Sequence, residues 1–165
     1  DLVIPDGITE LSATFQGCTN ISSVIIPSSV TSLGETFADC SGLTSITCLN
    51  TVPPQCINTG GSYSSWEDYA AFTFKDVDMD KCVLLVPQGC VSVYKNAAYW
   101  GEFKNIKELK RGDANGDGLV NVADIVVVVN IIREGAYNKL ADMNNDGVVD
   151  NKDLSSIKDI IMKAG

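Results

Sequence analysis

Apolar residues follow two different rhythms along the chain. Over the first half they recur at an offset of 22: Ile4-Pro5 with Ile26-Pro27, Leu11 with Leu33, Phe15 with Phe37, Cys18 with Cys40, Ile21 with Leu43 and Val24 with Ile46. Within each period, Ile21-x-x-Val24-x-Ile26 and Leu43-x-x-Ile46-x-Cys48 set alternate residues on one side of a short strand. Such a unit cannot bury its apolar face alone, so consecutive units must stack. Ser28-Ser29, Thr31-Ser32 and Ser41-Gly42 supply the turns between them. After Cys48 the period breaks. The Gly/Ser-rich stretch 51–69 reads as an inserted loop, Ala71-Phe72 as a returning core position, and Cys82–Pro87 as one more strand. From Val91 to Ile106 aromatic and aliphatic residues are spaced nearly as on a helix, which predicts an amphipathic segment closing the open end of the stack.

Beyond residue 111 the rhythm becomes helical. A helix from about 122 to 133 places Ile125, Val128, Val129 and Ile132 on one face, and Val126, Val127 and Ile131 widen that face. A second, from about 152 to 163, turns Leu154, Ile157, Ile160 and Ile161 inward. β-Branched residues are poor helix formers, so packing or a bound ligand must hold the first helix. A domain of about 54 residues is also marginal by size, for which a structural metal is a usual remedy.

Each helix follows a polar loop built to one schedule. Asp113, Asn115, Asp117, Asn121 and Asp124 stand at loop positions 1, 3, 5, 9 and 12, and Asp142, Asn144, Asp146, Asp150 and Asp153 repeat them 142 − 113 = 29 residues later. Position 6 is Gly118 or Gly147, and position 7 (Leu119, Val148) offers a backbone carbonyl. A loop wrapped around Ca²⁺ turns every second side chain toward an ion that takes six to eight oxygens at roughly 2.3–2.6 Å, and the glycine permits the sharp turn. Oxygen donors without thiolate or imidazole favour a hard cation. Two calcium ions are the expected cofactors. Carboxylate count differs, three Asp in loop 1 and four in loop 2, which predicts tighter binding at loop 2. The pattern departs from a standard EF-hand: position 12 is Asp in place of Glu, and Glu108–Arg111 is too short for a preceding helix.

This duplicated loop-then-helix pattern over residues 112–165 resembles the type I dockerin module. The resemblance implies a calcium-folded plug that docks onto a cohesin module of another protein, with recognition at loop positions 10 and 11. Those are Val122-Ala123 and Asn151-Lys152 here, unlike the Ser/Thr pair often found there and unlike each other. The period of the first half, with Ile-Pro and Ala/Thr-Phe-x-x-Cys, resembles the BspA-like leucine-rich repeats of bacterial surface proteins. The two resemblances imply a leucine-rich-repeat β-solenoid over residues 1–110, N-terminally truncated, followed by a small all-α dockerin over 111–165.

Charge and chemistry narrow the functions. A net charge of −9 argues against nucleic acid or anionic lipid as a partner. Residues 112–165 hold nine acidic and five basic side chains, and 5 − 9 = −4 is the charge that two Ca²⁺ would cancel. No apolar run approaches the roughly 18 residues of a membrane span, and a chain beginning at Asp1 reads as a mature or trimmed fragment. With no His, Ser-His-Asp and Cys-His machinery is excluded. Glu67, Asp68, Asp76, Asp78 and Asp80 read as a solvated acidic stretch, and Tyr63, Trp66, Tyr69 and Phe72 as core or loop anchors. Of the six cysteines, Cys18 and Cys40 share one repeat position and read as buried thiols. Cys48, Cys56, Cys82 and Cys90 allow disulfides whose pairing spacing alone does not fix. The expectation is a secreted or surface-displayed, non-enzymatic protein whose first module binds a protein or glycan and whose second attaches it to a cohesin-bearing partner. The alternative is a calcium module that acts within the molecule, stiffening the stalk of an adhesin.

Overall fold

The computed structural model describes residues 2–57, 69–144 and 146–164. The chain divides into two compact units, 1–108 and 109–165.

In the first unit, residues 22 apart become ladder partners. Strands β1 (Leu2–Val3), β3 (Ser23–Ile26) and β5 (Ser45–Cys48) pair in parallel, Leu2 opposite Val24 and Val24 opposite Ile46. β7 (Val83–Val86) and β8 (Asn105–Glu108) extend this to a five-stranded sheet in the order β1-β3-β5-β7-β8. A second parallel sheet is formed by β2 (Glu10–Ser12), β4 (Ser32–Gly34) and β6 (Gln55–Cys56). Val24, Ile26, Ile46, Cys48, Leu84 and Val86 join Leu33 in one buried core.

The fold class expected from the sequence is overturned. The elements form a small α/β protein with two parallel sheets and three α-helices, not a leucine-rich-repeat solenoid joined to an all-α dockerin. The difference arises at Leu11 and Leu33, each a buried apolar residue beside polar neighbours. Their backbones pair with one another, so the Ser/Thr-rich stretch read as turn supplies a strand to a sheet of its own.

Two local expectations also change. The segment 91–106, whose spacing is nearly that of a helix, is α-helical only at its start. It breaks into α1 (Val91–Lys95), a 3-10 turn at Trp100–Glu102 and strand β8, where Ile106 pairs with Leu84. The returning core position is Phe74, not Phe72. A 3-10 helix, Tyr69–Phe74, delivers Phe74 onto Phe37 with ring centroids 6.1 Å apart, and Phe37 stacks on Phe15 at 5.9 Å. Trp100 and Phe103 meet Phe74 edge-on, which ends the column. Phe72 instead lies under Lys75, whose Nζ is 5.6 Å from the ring centre.

The second unit contains α2 (Val122–Glu134) and α3 (Asn151–Ala164). Val128 and Ile157 are fully buried between them, with Ile125, Val127, Ile131, Ile132, Leu154, Ile160 and Ile161 packed around. Val129, expected on the core face, is exposed. Gly135 at φ +63° ends α2, taking the left-handed conformation that glycine adopts without strain. No helix among the described residues is long and apolar enough to cross a membrane.

Candidate metal centre

Each helix of the second unit begins at the end of an acidic loop, and the two loops share one hydrogen-bond pattern. In loop 1, Asp113 Oδ1 accepts the Asp117 N–H at 3.0 Å and Oδ2 the Gly118 N–H at 2.7 Å. Asn115 Oδ1 also accepts from Asp117 N, and Asp117 Oδ1 accepts the Leu119 N–H at 2.7 Å. Asp124 closes the loop from the first turn of α2, bonding Asn115 N at 3.1 Å and Asn121 N at 2.8 Å. Loop 2 repeats each contact. Asp142 accepts from Asp146 N at 3.2 Å and Gly147 N at 3.0 Å, and Asp146 from Val148 N at 3.0 Å. Asp153 accepts from Asn144 N at 3.3 Å and Asp150 N at 2.9 Å.

Positions 9 serve twice. Asn121 caps α2 by accepting the Ala123 N–H at 2.8 Å, and with Asp124 it forms a capping box. Asp150 caps α3 through the Lys152 N–H at 2.7 Å. The polar pattern of each loop therefore also starts the helix after it.

Burial separates the carboxylates. Asp113, Asp124, Asp142 and Asp153 are only 1, 0, 6 and 0% exposed, whereas Asp117 and Asp146 lie on the exposed rim. None of the four buried groups forms an ion pair among the described residues; Lys152 reaches only Asp146 (3.9 Å) and Asp150 (3.6 Å). Burial drives the Asp113 carboxyl above the usual aspartate range; the Gly118 N–H opposes this, and the charges of Asp124 and Asp117 reinforce it. Asp146 is held lower by the Asn144 amide and the Val148 N–H.

Four buried carboxylates without a cation are costly, and a hard divalent ion is the partner that an all-oxygen donor set suits. The loops mix carboxylate, amide and backbone oxygen, and no three Asp, Glu, Cys or His side chains converge as a ready-made cluster among the described residues. Of the twelve residues expected from the sequence, hydrogen bonds tie Asp113, Asn115, Asp117 and Asp124 together in loop 1 and Asp142, Asn144, Asp146 and Asp153 in loop 2, whereas the side chains of Asn121 and Asp150 face the helix starts and Leu119 and Val148 enter the bonding through their N–H groups. The side chains of Leu119 and Val148 point to solvent.

Two contacts carry no sequence signal. Tyr137 Oη lies 3.3 Å from Asp142 Oδ2, and Arg111 Nη2 donates to the Met143 carbonyl at 3.1 Å. Of the positions tied to partner recognition, Val122, Ala123, Asn151 and Lys152 are all exposed.

Other candidates do not assemble. Asp78 pairs with Lys81 at 2.7 Å on the surface, and Glu67, Asp68, Tyr63 and Trp66 lie outside the described residues. Cys18, Cys40, Cys48, Cys82 and Cys90 are free thiols. No curated protein matches the chain. Residues 111–162 match the model of the dockerin type I domain, and this part of the chain is similar to that domain.

Proposed function

We propose that the protein is a non-catalytic extracellular attachment protein: residues 109–165 bind two Ca²⁺ ions and dock onto a cohesin module, and residues 1–108 present a surface to a protein or glycan ligand. The observation that carries this reading is the duplicated loop. The same carboxylate, amide and backbone contacts recur in Asp113–Asp124 and Asp142–Asp153. The side chains at positions 1, 3, 5, 9 and 12, with the carbonyls of Leu119 and Val148, would hold one ion per loop. Calcium supplies the positive charge that the four buried carboxylates lack.

The docking face follows α2. Val122, Val126 and Val129 are 64, 54 and 44% exposed on that helix. Adding 29 gives their counterparts on α3, Asn151, Ser155 and Lys158, which are exposed and polar. A duplicated module with one apolar and one polar face engages its partner in one orientation.

The test is capture of the full chain on immobilised cohesin modules in calcium and in EDTA, with the bound ions counted by calorimetry. Calcium-dependent capture and two ions per chain support the reading. Two ions without capture by any cohesin would favour a calcium module that acts only within the molecule.

A further inference from the structure

We propose that Arg111, which is not a metal ligand, couples the two calcium loops by holding the Met143 carbonyl. This rests on the two-ion reading above. Arg111 precedes loop 1, yet its guanidinium reaches loop 2, where Nη2 donates to Met143 O at 3.1 Å. Met143 is the second residue of loop 2, between Asp142 and Asn144. Its N–H is held by Asp153 Oδ1 at 2.8 Å. The peptide groups on which loop 2 turns are therefore gripped from one side by its own closing carboxylate and from the other by a residue that stands two positions before loop 1.

The anchor behind that grip is rigid. The Asp113 N–H bonds Lys110 O at 3.1 Å, enclosing Arg111 in a turn that ends on the first ligand of loop 1. Gly112 follows at φ +97°, and a Cβ there would lie 3.1 Å from Val120 Cγ1 and 3.4 Å from Ile160 Cδ1, so the backbone is seated directly on side chains from loop 1 and α3. Beneath the loops, Ala114 and Met143, the second residues of loops 1 and 2, share one buried core. Fixing Asp113 in loop 1 fixes Arg111, and Arg111 fixes the first turn of loop 2. Linkage makes the coupling reciprocal in affinity.

The experiment uses the full chain with Tb³⁺ as a stand-in for Ca²⁺. Tyr137 is the one aromatic residue between 109 and 165, and its hydroxyl stands 3.3 Å from the Asp142 carboxylate. Tyrosine-sensitised Tb³⁺ emission that disappears in Tyr137→Phe reports loop 2, and calorimetry with Ca²⁺ counts both ions. Arg111→Ala is expected to weaken loop 2 about fivefold, the size of one hydrogen bond. Arg111→Gln, which keeps an N–H donor, should recover most of that loss. Loop 1, measured in Asp142→Asn, should be unchanged by Arg111→Ala, whereas a general folding defect would weaken both loops. Asp113→Asn should weaken loop 2 in the presence of Arg111 and have no further effect in Arg111→Ala. Additive losses, or an unchanged loop 2 in Arg111→Ala, would overturn the coupling while two ions still bind. Uptake of fewer than two ions by the unaltered chain would instead overturn the reading beneath it.

Discussion

Lys152 holds its ammonium 3.6 Å from the Asp150 carboxylate, so a cation of the protein stands at the rim of loop 2, where it would compete with a bound ion. The corresponding residue in loop 1 is Ala123. The pair is largely solvent-exposed, where such contacts contribute at most about 1 kcal/mol. Lys152→Met should therefore tighten loop 2 by about two- to fivefold and leave loop 1 as it was. The gain should shrink as salt rises. Calorimetric titration at two ionic strengths checks this, and an unchanged loop 2 would show that Lys152 does not compete. With Lys152 present, the extra carboxylate Asp150 is expected still to make loop 2 the tighter site.

Removing calcium should melt the second unit preferentially. In EDTA the far-UV circular dichroism of α2 and α3 is expected to fall, and in calcium their transition should rise with ion concentration, because the ion binds the folded loops and not the unfolded chain. Equal melting curves in EDTA and calcium would refute this.

The pH trend should reverse between those two conditions. The Asp113 carboxyl is raised in the folded unit, chiefly by burial. A raised pKa means the folded state binds the proton more tightly. In EDTA, its contribution is present below the ordinary aspartate pKa and is lost as pH rises through the raised value. In calcium the ligand must be ionised, so stability should instead grow over the same interval. Urea titrations from pH 4 to 7, with and without EDTA, test the crossing, and parallel trends would count against it.

Gly42 marks a contact that no side chain can share. A Cβ at this position would run into the Thr19 carbonyl oxygen of the preceding repeat. Gly42→Ala should cost about 1–3 kcal/mol, since backbone gives way less readily than a side chain end. Urea unfolding of the first unit measures it; a loss below about 0.5 kcal/mol, the range of an ordinary surface change, would mean that the repeats separate easily.

The buried thiols should be slow to react. Burial pushes Cys48 up to about 11 and Cys82 up to about 12, leaving little thiolate at pH 8. Alkylation of the native protein should spare both, and denaturant should release them, as read by mass spectrometry of the peptides. A disulfide-linked peptide containing Cys48 or Cys82 would contradict the structure.

The two acidic loops were legible because their chemistry is local. All six oxygen-bearing positions of each loop fall within twelve residues, and a turn around an ion has one order in which to present them. Asn121 and Asp150 also start the helices by capping, so α2 and α3 begin within a residue of where the apolar spacing puts them. The 22-residue offset likewise reappears as strand register, Val24 opposite Ile46. What failed was the fold class. One buried leucine among polar residues, at Leu11 or Leu33, is too short a pattern to announce a strand, and only pairing with its counterpart makes it one.

Spacing along the chain was enough to say which atoms bear charge and which residues share a repeat. It did not say that Phe74 and not Phe72 completes the aromatic column, that Val129 faces water, or that Arg111 grips the far loop. Periodicity ranks the faces of an isolated element, whereas the choice between nearly equal faces is made by whatever packs against them. A hydrogen bond between residues 143 − 111 = 32 positions apart exists only once the intervening chain has folded back. The sequence by itself determined where the oxygen-bearing residues fall and where the chain turns; tertiary structure alone decided which residues hold the two loops to each other.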